Sequence, residues 1–261
     1  FYGKNPAFAL GSAIPFGFNA RQMNAWMLHG NGRKLMNEFY ANYNAISFAG
    51  GNTGTQMGGW FRKEIKKVED LKGLKFRVGG FAGKVLERMG AVPQNIPAGE
   101  IYQSLEKGTI DAAEWISPHD DLKLGLNKVA PFYYYPGWWE GGPEVDFFVN
   151  QKAFDGLSAE NKAIIEAATN VAHIDMLAKY DALNPTALKQ LVAAKTKVLP
   201  FSQAVMDASF KASMEVFAAN DAKSPEWKKI YADMRAFQRD QVLWFRFAEA
   251  RYDSFMSSQK L

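Results

Sequence analysis
The sequence predicts an α/β protein with a mostly parallel sheet and a ligand pocket at its strand ends. Three observations carry this. Between residues 74 and 126, short apolar runs of strand length alternate with helical stretches in β-α-β-α-β-α order, the alternation that crossover connections impose on parallel strands. The stretch GTIDAAEW (108–115) delivers a carboxylate, Glu114, and an indole, Trp115, at the end of one such strand, just before Ser117 and Pro118 open a helix; open α/β sheets place ligand contacts there. The 261 residues, 48% hydrophobic and 22% charged, suffice for one large domain or two lobes with cores of their own.

Taken in order, residues 1–20 are aromatic and Gly-rich with two prolines and read as loop. Asn19 or Ala20 opens a helix over 21–28, which Gly30 and Gly32 break; a second helix, 33–43, puts Leu35, Met36, Phe39 and Tyr40 on one face. Ile46, Ser47 and Phe48 begin a strand that runs into the glycine-rich 49–54. Residues 56–61 continue extended, and their glycines mark a bulge or the close approach of a ligand or another backbone. A turn at 70–73 leads to a strand (74–78), a helix (83–89) closed by Gly90, a strand (92–96), a helix (101–107) stopped by Gly108, and a strand (110–113). The aromatic run 131–140 ends in Trp138, Trp139 and Glu140, and a strand over 145–150 follows. Ser158 caps a helix whose apolar face carries Ile164, Ile165, Ala168, Val171 and Ala172, and which Asn184 and Pro185 kink or split. Residues 197–201 form a last strand, Ser202 caps a helix over 203–219, and Ser224 and Pro225 open a final helix to about residue 255.

Composition excludes several function classes. The net charge of +4 is spread along the chain, and the densest basic run, 62–75, is broken by Glu64, Glu69 and Asp70, which describes a solvated face and no nucleic-acid footprint. No apolar run approaches the roughly 18 residues of a membrane span. Residues 1–20 lack the charged stretch and apolar run of a signal peptide, as the mature form of an exported protein also would. The absence of cysteine rules out a thiol nucleophile, a Cys-ligated metal and a disulfide framework. Aromatics at 14% suit an aromatic-lined pocket, although a Phe-rich core accounts for most of the phenylalanine.

Several local patterns are weaker than they look. The loop VGGFAGK (78–84) sits between strand and helix, yet Val78 stands where a dinucleotide site or a P-loop needs Gly, and Val85 where a P-loop needs Ser or Thr. What remains is a helix N-terminus beside Arg77, a setting that favours an anion. Arg77 ends a buried strand, so it either pairs with a structural carboxylate or offers its fork to a ligand carboxylate. His119, Asp120 and Asp121 have ligand-like spacing, but they occupy the first turn of a capped helix, which explains the acids. His29 reads as a surface or packing residue and His173 lies mid-helix; no nucleophile–base arrangement can be named. Trp138 and Trp139 are either a core wedge or one wall of a cleft in which Glu140 faces Glu114. Two converging carboxylates repel unless protonated or bridged by a cation, and Gln56 plus a backbone carbonyl would complete an all-oxygen cage for a hard cation.

Four ordered motifs, GNTGTQMGGWF (51–61), EDLKGLKFRVGGFAGKVLERMGA (69–91), GEIYQSLEKGTIDAAEW (99–115) and YYYPGWWEGGP (133–143), closely resemble the solute-binding proteins of tripartite ATP-independent periplasmic (TRAP) transporters, in the branch that binds small 2-oxo or 2-hydroxy monocarboxylates with a metal ion. The resemblance covers essentially the whole chain. It implies a two-lobed periplasmic binding protein fold with crossing strands and a long C-terminal helix, divided into lobe I (1–53), lobe II (54–140), a return to lobe I (141–175), and crossing and C-terminal helices (176–261). By resemblance, Arg77 salt-bridges the ligand carboxylate, and Gln56, Glu114, the carbonyl of Trp115, and Glu140 surround a sodium or calcium ion. Trp115, Trp139 and Trp60 then close the pocket. The implied function is periplasmic capture of a pyruvate- or lactate-like acid and its delivery to the TRAP membrane permease. No catalysis and no nucleic acid are involved, and a homodimer through the C-terminal helix is one form the family takes. Because the opening FYGK resembles the family in mid-lobe, the N-terminal unit of lobe I, roughly seventy residues, is expected to be missing from the sequence given. The rival reading is a two-lobed enzyme that uses Glu114 and Glu140 as a paired-carboxylate metal site.

Overall fold
A computed structural model describes residues 2–259; Phe1, part of the opening motif, lies outside the described residues. Helices α1 (Ala20–His29) and α2 (Gly32–Ala41) lead into β1 (Ala45–Asn52), followed by β2 (Gly59–Phe61), β3 (Lys75–Arg77), α3 (Gly80–Arg88), β4 (Val92–Gln94), α4 (Ala98–Lys107), β5 (Ala112–Ala113) and α5 (Pro118–Leu124). Then come β6 (Phe132–Tyr135), β7 (Glu144–Asn150), α6 (Gln151–Asp155), α7 (Ala159–Ala193), β8 (Lys197–Pro200), α8 (Gln203–Asp221), α9 (Pro225–Phe247) and α10 (Glu249–Ser257). Among the described residues no helix is long and apolar enough to cross a membrane.

The strands form two sheets. β1 and β7 pair antiparallel, and a six-stranded sheet has the order β4-β3-β5-β2-β6-β8. β3 runs parallel to β4 and β5, and β6 parallel to β8, whereas β2 is antiparallel to both its neighbours. Five of the six strands therefore share one direction and β2 alone is reversed, so the sheet is mostly parallel, as expected, with one antiparallel member. The three residues of β2 carry no periodicity from which their direction could be read, and they slot between strands supplied from elsewhere in the chain.

Two stretches run side by side from one sheet to the other. The β1–β7 ladder ends at Asn52 opposite Glu144. Beyond it, the Thr55 hydroxyl donates to the Gly141 carbonyl (2.7 Å), the Gln56 N–H to the Glu140 carbonyl (3.1 Å) and the Gly58 N–H to the Tyr134 carbonyl (2.7 Å). The Asn52 side chain locks the start of this crossing, donating to the Gly142 carbonyl and accepting from the Gly54 N–H.

Alternation along the strands sorts side chains to the two faces of the six-stranded sheet. Phe61, Ala112 and Tyr134 join the larger core with Trp26, Phe76, Trp139, Phe217 and Trp227; their neighbours Trp60, Ala113 and Tyr133 join a smaller core with Ile101, Leu105, Ile110, Leu126 and Leu191.

Some expected elements differ. Residues 6–11, read as loop, form a 3-10 helix capped by the Asn5 side chain. α3 begins at Gly80, whose φ of +57° favours glycine. Pro185 does not split α7, which runs on for 35 residues. The final helix breaks at Ala248, whose backbone leaves the helical region (φ −94°, ψ −104°), and an Arg21–Glu249 ion pair ties the start of α10 to α1.

Candidate functional site
Arg77 closes β3 in register with Gln94 of β4 and Ala113 of β5, so its side chain projects over the C-terminal ends of three adjacent strands. There its Nε donates to the Ile96 carbonyl (3.2 Å), and its Nη1 to the Glu114 carboxylate (2.6 Å) and the Glu114 carbonyl (2.7 Å). The guanidinium lies 5.3 Å from the centre of the Trp115 ring. Of the two roles open to Arg77, pairing with a carboxylate of the chain is thus realised in this structure. Its Nη2 makes no hydrogen bond among the described residues, which leaves that one nitrogen to donate to a second acceptor.

Glu114 is buried, with its side chain 6% exposed. Its Oε1 also accepts from the Gly79 N–H (3.0 Å), so the start of α3 serves this carboxylate. Burial and then the Glu140 charge push its pKa up, against the pull of Arg77 and the Gly79 N–H. Glu140 is pushed up by burial and drawn back by Arg77. One guanidinium therefore faces two carboxylates that disfavour each other's ionisation.

Gln56 sits beside this pair, since its N–H reaches the Glu140 carbonyl and its own carbonyl accepts from Gly137. Its Nε2 donates to Thr53 Oγ1 (3.3 Å), while its Oε1 is buried without a hydrogen-bond partner among the described residues. The carbonyl of Trp115 likewise accepts no hydrogen bond among the described residues. Two carboxylates, an orphaned amide oxygen and an unbonded backbone carbonyl offer oxygen donors only, the chemistry a hard cation would require. Among the described residues no group of three or more His, Cys, Asp or Glu has metal-holding geometry, so any cation here relies on the amide and the backbone.

The three tryptophans expected at the pocket have different surroundings. Trp115 is half-buried under the Arg77 guanidinium. Trp139 is 2% exposed and packs edge-on against Phe76 and Trp138, so the core-wedge reading describes its ring, yet its indole N–H is buried without a partner among the described residues. Trp60 stands in the smaller core, fully buried and stacked on Tyr133 with ring centres 3.9 Å apart, and its indole N–H is spent on Asp121.

Glu140 also lines a cleft of about 410 Å³ with Ser12, Tyr40, Gly80, Glu144 and Asp146; Arg77, Glu114 and Gln56 are not in its walls. Glu144 and Asp146 form a second acidic pair that the sequence reading missed. Both pKa values are raised, first by burial and, for Glu144, then by Asp146. Also missed was Asp121, fully buried where a surface acid of the first helical turn was expected. The available signal for Glu144 and Asp146 was their spacing on one face of a strand, because residues two apart share a side.

Comparison with known proteins shows which family the chain resembles. The family model described as "Bacterial extracellular solute-binding protein, family 7" matches residues 1–223. A monocarboxylate 2-oxoacid-binding periplasmic protein of Nostoc is 48% identical over 260 residues, covering all of this chain and 71% of the relative. A TRAP transporter solute-binding protein from Bordetella bronchiseptica, a mixed-occupancy dimer with copurified calcium and picolinate in one site, superposes with a TM-score of 0.96 at 49% identity over 98% of this chain and 76% of that one. Another, from Pseudoalteromonas atlantica with bound sodium and pyruvate, superposes at 0.92 with 43% identity over 99% and 78% of the two chains.

Proposed function
Because the chain belongs to the bacterial extracellular solute-binding proteins of family 7, the receptors of TRAP transporters, we propose that it captures a small 2-oxo or 2-hydroxy monocarboxylate, of the pyruvate or lactate kind, together with a sodium or calcium ion. The observation that carries this reading is the meeting of Arg77 with two mutually repelling carboxylates beside an orphaned amide oxygen. Gln56, Glu114, the Trp115 carbonyl and Glu140 would hold the cation. When bound, it supplies a hard positive centre for the carboxylate and 2-oxygen of the ligand. Arg77 turns its free Nη2 to the same carboxylate, and the Trp139 indole N–H and the Trp115 ring close the pocket around it. Trp60 backs the pocket without touching the ligand.

The lobes divide where the chain crosses between the sheets: residues 1–53 and 141–175 belong to lobe I, 54–140 to lobe II, and 176–261 supply crossing and C-terminal helices. Binding groups come from both crossing stretches, Gln56 on one and Glu140 on the other, so ligand capture at this hinge draws the lobes together. The receptor works in the periplasm, hands its ligand unchanged to the TRAP permease, and pairs with a second copy through the exposed apolar residues Val242, Leu243, Trp244 and Phe247 near the end of α9.

Mass spectrometry of the ligand carried through purification, with elemental analysis for the metal, tests this reading. Recovery of a small 2-oxo or 2-hydroxy acid with stoichiometric sodium or calcium supports it. Failure of such acids to bind the metal-loaded protein in calorimetric titration overturns it, and conversion of the acid on long incubation makes the chain an enzyme.

A further inference from the structure
We infer that Asp121 is the positioning residue that aims the Trp115 carbonyl at the cation, an inference that rests on the cation site proposed above. Asp121 lies in α5, 1% exposed, and no cation of the chain pairs with it among the described residues. Its carboxylate is held by three donors instead. Oδ1 accepts from the Ile116 N–H (3.0 Å), and Oδ2 from the Trp60 indole (2.9 Å) and the Tyr133 hydroxyl (2.7 Å). Burying an ionised group on neutral donors alone is costly, and a carboxylate acting merely as an α5 cap would need neither indole nor phenol.

The arrangement gains meaning from the Ile116 contact. The Ile116 N–H and the Trp115 carbonyl belong to one peptide unit, and Tyr135–Pro136 is the one cis bond among the described residues. In a trans peptide the N–H and C=O point in opposite directions. Pinning the N–H to Asp121 therefore turns the Trp115 oxygen away from Asp121, where it accepts no hydrogen bond among the described residues. The far end of this stretch is fixed too, since the Ile116 carbonyl accepts from the Met57 N–H (3.0 Å), next to Gln56. Trp60 and Tyr133, stacked and registered opposite each other on β2 and β6, hold Asp121 from below. One buried carboxylate thus sets the angle of a backbone ligand, as a carboxylate behind a metal-bound histidine sets its ring.

The test uses the full chain freed of bound cation and titrated with calcium alone, then sodium alone. Asp121→Asn is expected to lose cation affinity by about 10- to 100-fold, the usual effect of removing such an outer partner. Tyr133→Phe removes one donor to Oδ2 but leaves the Ile116 contact; it should lower the melting temperature while holding cation affinity within about twofold. Equal losses of affinity in the two folded variants, or none in Asp121→Asn, overturn the inference. Should Asp121→Asn not fold, wild-type protein with carbon-13 in the Trp carbonyls and nitrogen-15 in Ile decides. The Trp115 carbonyl resonance should shift on cation binding while the Ile116 amide stays protected from exchange with and without cation. Cation binding seen by calorimetry without a shift at Trp115, or a freely exchanging Ile116 amide, sinks the role of Asp121. Wild-type protein that binds neither cation sinks the cation site itself.

Discussion

Arg77 and Glu114 meet at 2.6 Å across the ends of β3 and β5, and the same guanidinium nitrogen also takes the Glu114 carbonyl. The pair is nearly buried, at 14% and 6% side-chain exposure, so its desolvation cost offsets most of its attraction, and its value is geometric. It fixes Nη1 and leaves Nη2 to face a second acceptor.

Arg77→Lys should therefore fail where a conservative change is normally tolerated. An ammonium is a single nitrogen and cannot keep the Glu114 contacts while offering a second, separately aimed donor nitrogen. Calorimetric titration with pyruvate should show affinity reduced by at least about 100-fold, or ~2.7 kcal/mol, in a protein that still melts cooperatively and still binds cation. Wild-type-like pyruvate affinity would remove Arg77 from the site.

Glu140→Gln takes one carboxylate from the proposed cage. Cation and carboxylate affinities should drop together, by about tenfold or more, because the second depends on the charge of the first. Removing the repulsion also relaxes Glu114, whose pKa should fall back toward its ordinary value. An unchanged metal content refutes the cage.

Glu144 and Asp146 give a pH dependence of definite sign. Both hold their protons more tightly folded than unfolded, with Tyr40 and Ser47 facing them. The folded state then binds more protons over the interval above the ordinary carboxylate values, so stability falls as pH rises through it and is best preserved on the acid side. Melting temperatures of the cation-free protein should decline as pH rises above 3.8 for the Asp146 part and 4.5 for the Glu144 part, the ordinary values at which each loss begins, and Glu144→Gln should flatten that slope. A slope unchanged in Glu144→Gln means the pair does not share a proton.

Gly59→Ala should destabilise by about 2 kcal/mol or more, read by denaturant unfolding. Its φ is +89°, and an added Cβ would stand 2.7 Å from the Ala113 carbonyl oxygen and 3.0 Å from the Glu114 Cα. Since those atoms carry Glu114, cation affinity should fall as well. A neutral effect would mean β2 can back away from β5 without cost.

How far the sequence revealed the site depended on how local each signal was. Glu114 and Arg77 were legible because each ends a short strand before a helix, a position readable within ten residues. Gln56 and Glu140 needed the resemblance of whole motifs, as nothing nearby explains their pairing through the crossing stretches. Trp60 was expected to close the pocket, yet it lies in the smaller core: strand alternation puts it on one face and Phe61 on the other, and only the partner strands decide which face meets ligand. Asp121 was hidden by a sufficient explanation, since an acid in a first helical turn invites no further account. Its partners, Trp60 and Tyr133, lie 61 and 12 residues away. The antiparallel setting of β2 and the break at Ala248 were equally illegible, being imposed by neighbours distant in sequence.

The 35-residue α7 is about 52 Å long at 1.5 Å per residue, and it packs on β1 early and on α5 further along. Tyr180 donates to Asp120 and Asn184 accepts from the His119 N–H, so the rod is riveted to the very turn whose underside holds Asp121. Neither sheet can drift without dragging or bending this shaft. Its softest point is Pro185, one residue past a rivet, where the ring forbids a backbone hydrogen bond.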